Sequence, residues 1–118
     1  MDVEVRLPDR PTALAEIAEA LGGAGVSIEG GGMFTHGGVA LAHFLVDDAT
    51  KASGALCDLG ADASVTVRDV RRARLDQGVP GTLGTAARTV ADGRDLVIAQ
   101  YSDHDGNLIL VVHGPGGY

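Results

Sequence analysis

Two stretches of this chain repeat the same turn-and-helix pattern in register. Pro11 and Pro80, Leu14 and Leu83, and Leu21 and Val90 are each 69 positions apart. Beyond the helix one residue drops out, and Gly25 and Gly93, Ile28 and Leu96, His36 and His104, and Gly38 and Gly106 are each 68 apart. A repeat of this period points to two structural units of similar plan, and the chain length excludes most large scaffolds, such as a full (β/α)₈ barrel. The 118 residues then divide into a unit over 1–70 and a shorter one over 71–118.

Within the first stretch the periodicity switches between strand and helix four times. Val3, Val5 and Leu7 alternate with polar residues, which predicts a strand. Pro8-Asp9-Arg10-Pro11 is a turn, and Pro11 suits the first position of a helix. Leu14, Ile17, Ala18 and Leu21 follow helical spacing over about 11–22, with Gly22 and Gly23 as the stop. Val26 to Phe34 reads as a strand, weakened by Gly30-Gly31-Gly32. Thr35-His36-Gly37-Gly38 is a tight turn, and Val39 to Val46 is a buried central strand. Asp47 and Asp48 offer an N-cap to a second helix facing inward through Ala52, Ala55, Leu56 and Leu59, stopped by Gly60. Residues 62–70 alternate again as a strand. The order βαββαβ is the ferredoxin-like split unit, a four-stranded antiparallel sheet with both helices on one face. The second stretch has the order βαββ: a strand at 71–76, a turn at Gln77-Gly78-Val79-Pro80-Gly81, and a helix facing inward through Leu83, Ala86, Ala87 and Val90. Strands at 95–102 and 107–113 follow.

Asp9-Arg10-Pro11-Thr12-Ala13-Leu14, followed by a helix and then Gly25-Val26-Ser27-Ile28, resembles the ACT-domain signature. Pro80-Gly81-Thr82-Leu83 and Gly93-Arg94-Asp95-Leu96 carry it a second time, so the whole chain is similar to a small tandem ACT protein over residues 2–113. Thr12 and Ala13 stand where the family usually has glycine, and Gly78 stands where it has the leading acid. The second copy ends after its third strand, and this leaves a sheet edge open for the other copy or a second chain to close. The resemblance implies a regulatory module that binds an amino acid or similar small polar ligand, acts on a partner protein and forms a homodimer or larger homo-oligomer. It also implies no resident cofactor.

Physical chemistry supplies a mechanism at the two junctions. A helix N-terminus presents free N–H groups and a favourable dipole to a carboxylate. The candidate ligand-binding residues are therefore Asp9, Arg10, Pro11, Thr12, Ala13 and Leu14 at the first junction, and Gln77, Gly78, Val79, Pro80 and Gly81 at the second. Asp9 or Glu29 could receive an amino group, although Asp9 also reads as a plain turn residue and Glu29 as a solvated one. Ser27 and Asp95 hold equivalent places at the start of a strand, where the family often puts a ligand-contacting polar residue. Three glycines inside a strand signal a bulge or the close approach of another backbone or a ligand, read here as a subunit or repeat interface first and a ligand surface second.

The alternative class is a small enzyme on the same fold. Its acid/base candidates are Tyr101, Asp103, His104 and Asp105, with His36 at the equivalent turn; a polar hairpin turn is the plainer reading of 103–105. A third reading is a structural subunit. His43 reads as a satisfied core histidine, and no spacing shows the three or four converging ligands of a metal site. Gly78 to Gly84 lacks the lysine of a phosphate loop; Lys51 is the one lysine. A formal charge of −7 disfavours nucleic acid. Cys57 cannot form an internal disulfide and reads as a small buried hydrophobe. No apolar run reaches bilayer length and Met1 to Arg6 has no leader pattern, which sets a cytoplasmic location as the expectation.

Overall fold

A computed structural model describes residues 1–74 and 78–113. The chain forms two compact units, Met1–Arg68 and Asp69–Tyr118.

The first unit contains β1 (Asp2–Pro8), α1 (Ala13–Gly23), β2 (Ile28–His36), β3 (Val39–Val46), α2 (Ala49–Cys57) and β4 (Ser64–Arg68). Its antiparallel sheet has the order β2-β3-β1-β4. Alternation along β1 sends Val3, Val5 and Leu7 to the helix side, where Ala40, Ala42, Phe44 and Val46 of β3 join them. Ala13, Ile17 and Leu21 of α1 and Ala52 and Leu56 of α2 close this core.

Several expected details shift. The inward stripe of α1 is Ala13, Ile17 and Leu21, and Leu14 is 47 % exposed. The helix begins at Ala13 rather than at Pro11, and an 11-residue helix needs one inward side chain per turn at this phase. It also runs through Gly22 and Gly23. The stop is Gly25 at φ +74, with the Val26 N–H donating to the Leu21 carbonyl at 3.0 Å, a six-to-one closure. Cys57 is exposed, because α2 turns Ala52 and Leu56 inward and the next position faces away. Asp48 caps α2, its carboxylate accepting from the Lys51 N–H at 3.0 Å.

The second unit contains β5 (Val70–Arg74), α3 (Thr82–Asp92), β6 (Leu96–Ser102) and β7 (Asn107–His113), with the antiparallel order β5-β7-β6. That is the order of β1-β3-β2. Val90, Leu108 and Leu110 form its core, with Ala73, Ala86 and Val112 packed around them. Leu83 is exposed rather than inward. The alternation expected over 62–70 breaks at Asp69, where β4 ends and β5 begins.

Candidate functional site

At the first junction the chain leaves β1 at Pro8 and turns through four residues into α1. The Asp9 N–H donates to the Gly38 carbonyl at 2.8 Å, which ties the turn to the β2–β3 hairpin. Thr12 is the N-cap, but its hydroxyl does not cap the helix; it donates to Glu16 Oε2 at 2.9 Å. Arg10 grips the same carboxylate with two hydrogen bonds, Nε to Oε2 at 2.7 Å and Nη2 to Oε1 at 3.2 Å. Its Nη1 reaches Asp62 Oδ2 at 3.4 Å, in the loop before β4. The hydrogen-bonded Glu16 carboxylate, against a smaller burial cost, raises the Arg10 guanidinium above its ordinary range. Hydrogen bonds from Arg10 and then Thr12 hold the Glu16 carboxyl below the ordinary range. Of the expected ligand-binding residues here, Asp9, Pro11, Thr12 and Leu14 are exposed, Arg10 is half-buried and Ala13 is buried. The Ala13 N–H donates to the Arg10 carbonyl at 3.0 Å. The cation of this junction thus has an internal carboxylate partner. Glu16 and Asp62 were not legible as parts of the site, though Glu16 sits four residues after Thr12, a spacing that brings side chains together on a helix.

The second junction has the opposite character. Gly81 is the N-cap of α3 at φ +94, a conformation only glycine adopts freely, and α3 has no acidic residue in its first turn. The Thr85 N–H and hydroxyl both turn to the Gly81 carbonyl, at 3.0 and 3.2 Å. A cavity of about 420 Å³ opens here, lined by Arg74, Val79, Pro80, Gly81, Thr82, Thr85 and Ala86. Arg74 is exposed at the end of β5 and ion-pairs with no carboxylate among the described residues. The cavity therefore joins a guanidinium, a helix N-terminus and the apolar walls of Val79, Pro80 and Ala86. Val79, Pro80 and Gly81 were expected at such a site; Gly78 precedes them, Gln77 lies outside the described residues, and Arg74, Thr82 and Thr85 were missed. Arg74 reads in the sequence as one of four arginines within 68–74, with nothing to single it out.

None of the remaining candidates lines the cavity at the second junction, and His36 lies in the β2–β3 hairpin that is tied to the first. Ser27 pairs through its backbone with Asp47, its N–H donating to Oδ1 at 2.9 Å, at the end of β3. Glu29 occupies the bulge between Ile28 and Gly30. Asp95 is ion-paired to Arg71. Asp103 is buried and organises the β6–β7 hairpin. Its Oδ1 accepts from the N–H groups of Asp105 and Asn107 at 3.0 and 2.8 Å, and its Oδ2 from Asn107 Nδ2 at 3.1 Å. Burial works against its ionisation, but these hydrogen bonds and the Arg72 charge outweigh burial and lower its pKa. His104 and Asp105, 3.6 Å apart, are exposed at the hairpin tip, and Tyr101 is half-buried on β6. His36 is exposed at the end of β2, in the other unit. Among the described residues no cluster of three or more His, Cys, Asp or Glu is placed to hold a metal ion.

His43 is buried and satisfied. Its Nδ1 lies 2.8 Å from Asp2 Oδ2 and its Nε2 3.4 Å from Glu4 Oε1, while Arg68 Nη1 donates to Glu4 Oε2 at 3.1 Å. These groups share the sheet face opposite the helices, since Asp2, Glu4 and Arg6 fall between the core-facing residues of β1.

With four strands and two helices in one unit and βαββ in the next, the chain is an α+β protein with the ferredoxin-like, ACT-type fold. No protein-family model matches it, and no curated protein matches it. Solved structures do. Protein BT0572 from Bacteroides thetaiotaomicron superposes with a TM-score of 0.74 at 19 % identity, over 94 % of this chain and 77 % of that one. The ligand-free regulatory subunit of aspartate kinase from Thermus thermophilus gives 0.69 at 18 % identity, over 94 % and 82 %. No helix among the described residues is long and apolar enough to cross a membrane.

Proposed function

We propose that this chain is a regulatory module that binds an amino acid or amino-acid derivative at the second junction, with Arg74 and the N-terminus of α3 receiving the ligand carboxylate. The observation that carries this reading is the contrast between the junctions. The first holds its arginine in a two-point pair with Glu16, whereas the second presents an arginine, an acid-free helix start and a cavity of about 420 Å³, large enough for an amino acid. The likeness in fold to the regulatory subunit of an aspartate kinase supports a regulatory role. So does the ACT-like pattern around Pro11 and Pro80, read as a duplicated unit. The ligand acts by population shift, favouring the arrangement that closes on it, and the effect passes to a partner protein from a homo-oligomer.

A thermal-shift screen with the common amino acids at millimolar concentration tests this. One or more should raise Tm, since a ligand at about 100 times its Kd stabilises the folded state by roughly 2.7 kcal/mol. The decarboxylated amine of the same ligand should not. Arg74→Gln should abolish the shift and Arg10→Gln should leave it. No shift with any amino acid, or a shift that survives Arg74→Gln, overturns the proposal.

A further inference from the structure

α1 and α2 lie side by side over the core of the first unit. Between their outer surfaces runs an open groove of about 560 Å³. Its apolar lining is small: Ala20, Gly23 and Ala24 on the α1 side, Ala55 and Leu59 on the α2 side. Its charges are Glu19 on the first wall and Lys51 and Asp58 on the second.

Nothing within the chain requires this composition. Glu19, Lys51 and Asp58 are exposed and form no ion pair with any described residue, whereas nearby Glu16 and Asp62 are both held by Arg10. Lys51, Gly54, Ala55 and Asp58 fall on one stripe of α2. Gly54 stands inside that helix, where glycine weakens the helical state. A Cβ added there, or at Gly23, would meet nothing within 4 Å, and neither residue has a positive φ. The repeat makes the same point. The positions of α3 that correspond to Glu19, Ala20 and Gly23, each 69 further on, are Arg88, Thr89 and Asp92. The helical plan of the unit thus accepts larger side chains at this phase, and the small ones of α1 leave room for something outside the chain.

Small outward residues let a third helix approach to the packing distance of about 8–10 Å. The charges then restrict which helix fits. Lys51 and Asp58 lie two turns apart, roughly 10 Å along α2, and Glu19 faces them across the groove. The occupant needs an acid opposite Lys51 and bases opposite Asp58 and Glu19. No described helix of this chain carries two bases: α1 has none, α2 has Lys51 and α3 has Arg88. A second copy therefore does not supply the occupant.

We propose that this groove docks an amphipathic helix of the partner protein, its large apolar side chains entering between α1 and α2 and its flanking bases and acid pairing with Glu19, Asp58 and Lys51. The inference extends the regulatory reading, in which an effect passes to a partner protein, but it makes no use of the site at Arg74.

Two synthetic alanine-rich helices with one leucine stripe test it by fluorescence anisotropy, with no amino acid present. One carries lysines toward Glu19 and Asp58 and a glutamate toward Lys51; the other has these charges reversed. The first should bind saturably and about tenfold or more tightly than the second, since three rim pairs change from attraction to repulsion. The triple variant Glu19→Lys, Lys51→Glu, Asp58→Lys should invert that preference. Gly54→Leu should raise Tm, because leucine suits a helix better than glycine, yet weaken binding of the first helix about tenfold by filling the groove. A purely structural role for Gly54 gives no such loss, and Gly23→Leu decides if Gly54→Leu does not fold. No saturable binding at millimolar peptide, equal affinity for the two peptides, or full binding in the folded leucine variants overturns the proposal. So does a self-association, seen by sedimentation, that the leucine variants abolish, since a second copy would then fill the groove. The amino-acid screen is run without peptide, so the groove and the Arg74 site fail separately.

Discussion

At the scale of single residues, the three glycines of β2 separate into different tasks. Gly31 has φ +128, and a Cβ there would lie 2.0 Å from the His43 carbonyl oxygen. Both the backbone conformation and the neighbouring strand exclude a side chain. Gly31→Ala should therefore destabilise the protein by about 3 kcal/mol or more, and Gly32→Ala, where an added Cβ meets nothing within 4 Å, by less than about 1 kcal/mol, measured by urea unfolding. The close approach of a backbone was readable from the glycine run; which of the three makes it was not, because that depends on the bulge at Glu29 setting the phase. Asp103 shows the same limit. The string Asp-His-Asp reads first as a polar turn and second as a proton-transfer site, and the hydrogen bonds to Asp105 and Asn107 give Asp103 a structural task. Because its pKa is lowered on folding from an ordinary 3.8, its stabilisation is fully present above that value and is lost as pH falls through the folded-state value. Tm should decline in this acid range, and the decline should be shallower in Asp103→Asn, which has no carboxylate to protonate.

The elements were more legible than their faces. β3 and β7 begin and end where the apolar runs Val39–Val46 and Asn107–His113 do, because each is the central neighbour of its sheet and is apolar nearly throughout. α1 was legible as a helix, but its inward stripe was not. Leu14 fits the helical spacing as well as Ala13 does, and only the start at Ala13 turns the smaller residue inward. β4 and β5 were legible as two strands, over 62–70 and 71–76, but the boundary was not: it falls at Asp69, where the chain passes from one unit to the next. α2 is short and contains Ser53 and Gly54, so it depends on its cap and its buried leucine. Asp48→Ala should cost about 1 kcal/mol through loss of the bond to the Lys51 N–H. Leu56→Ala should cost about 2–5 kcal/mol through the cavity left under the helix. Chemical denaturation of the two variants should rank them in that order.

At the scale of the whole molecule, the repeat constrains the plan of both units without making them equal. Pro11 and Pro80 mark the same turn, yet the residues that decide the chemistry of each junction lie outside the repeated positions. Four residues past Thr12 is Glu16, which holds Arg10; four residues past Gly81 is Thr85, which turns back to the Gly81 carbonyl and offers no charge. The family-like pattern could therefore mark two junctions but could not say which one pairs its arginine internally, since that follows from partners brought together by helix spacing and, for Asp62, by the fold. The expected consequence is a stoichiometry of one ligand per chain. Isothermal titration with an amino acid selected by the thermal screen should give a single site that is lost in Arg74→Gln. Glu16→Gln weakens the grip on Arg10 but leaves the cavity beside α3 intact, so it should keep that site. If the first junction is blocked only by its internal carboxylate, the same variant should also create a second, weaker site there, one that Arg10→Gln removes. A stoichiometry of two in the unaltered chain would show instead that an incoming carboxylate displaces Glu16 unaided, and that the pairing with Arg10 is a competitor weak enough for the ligand to overcome.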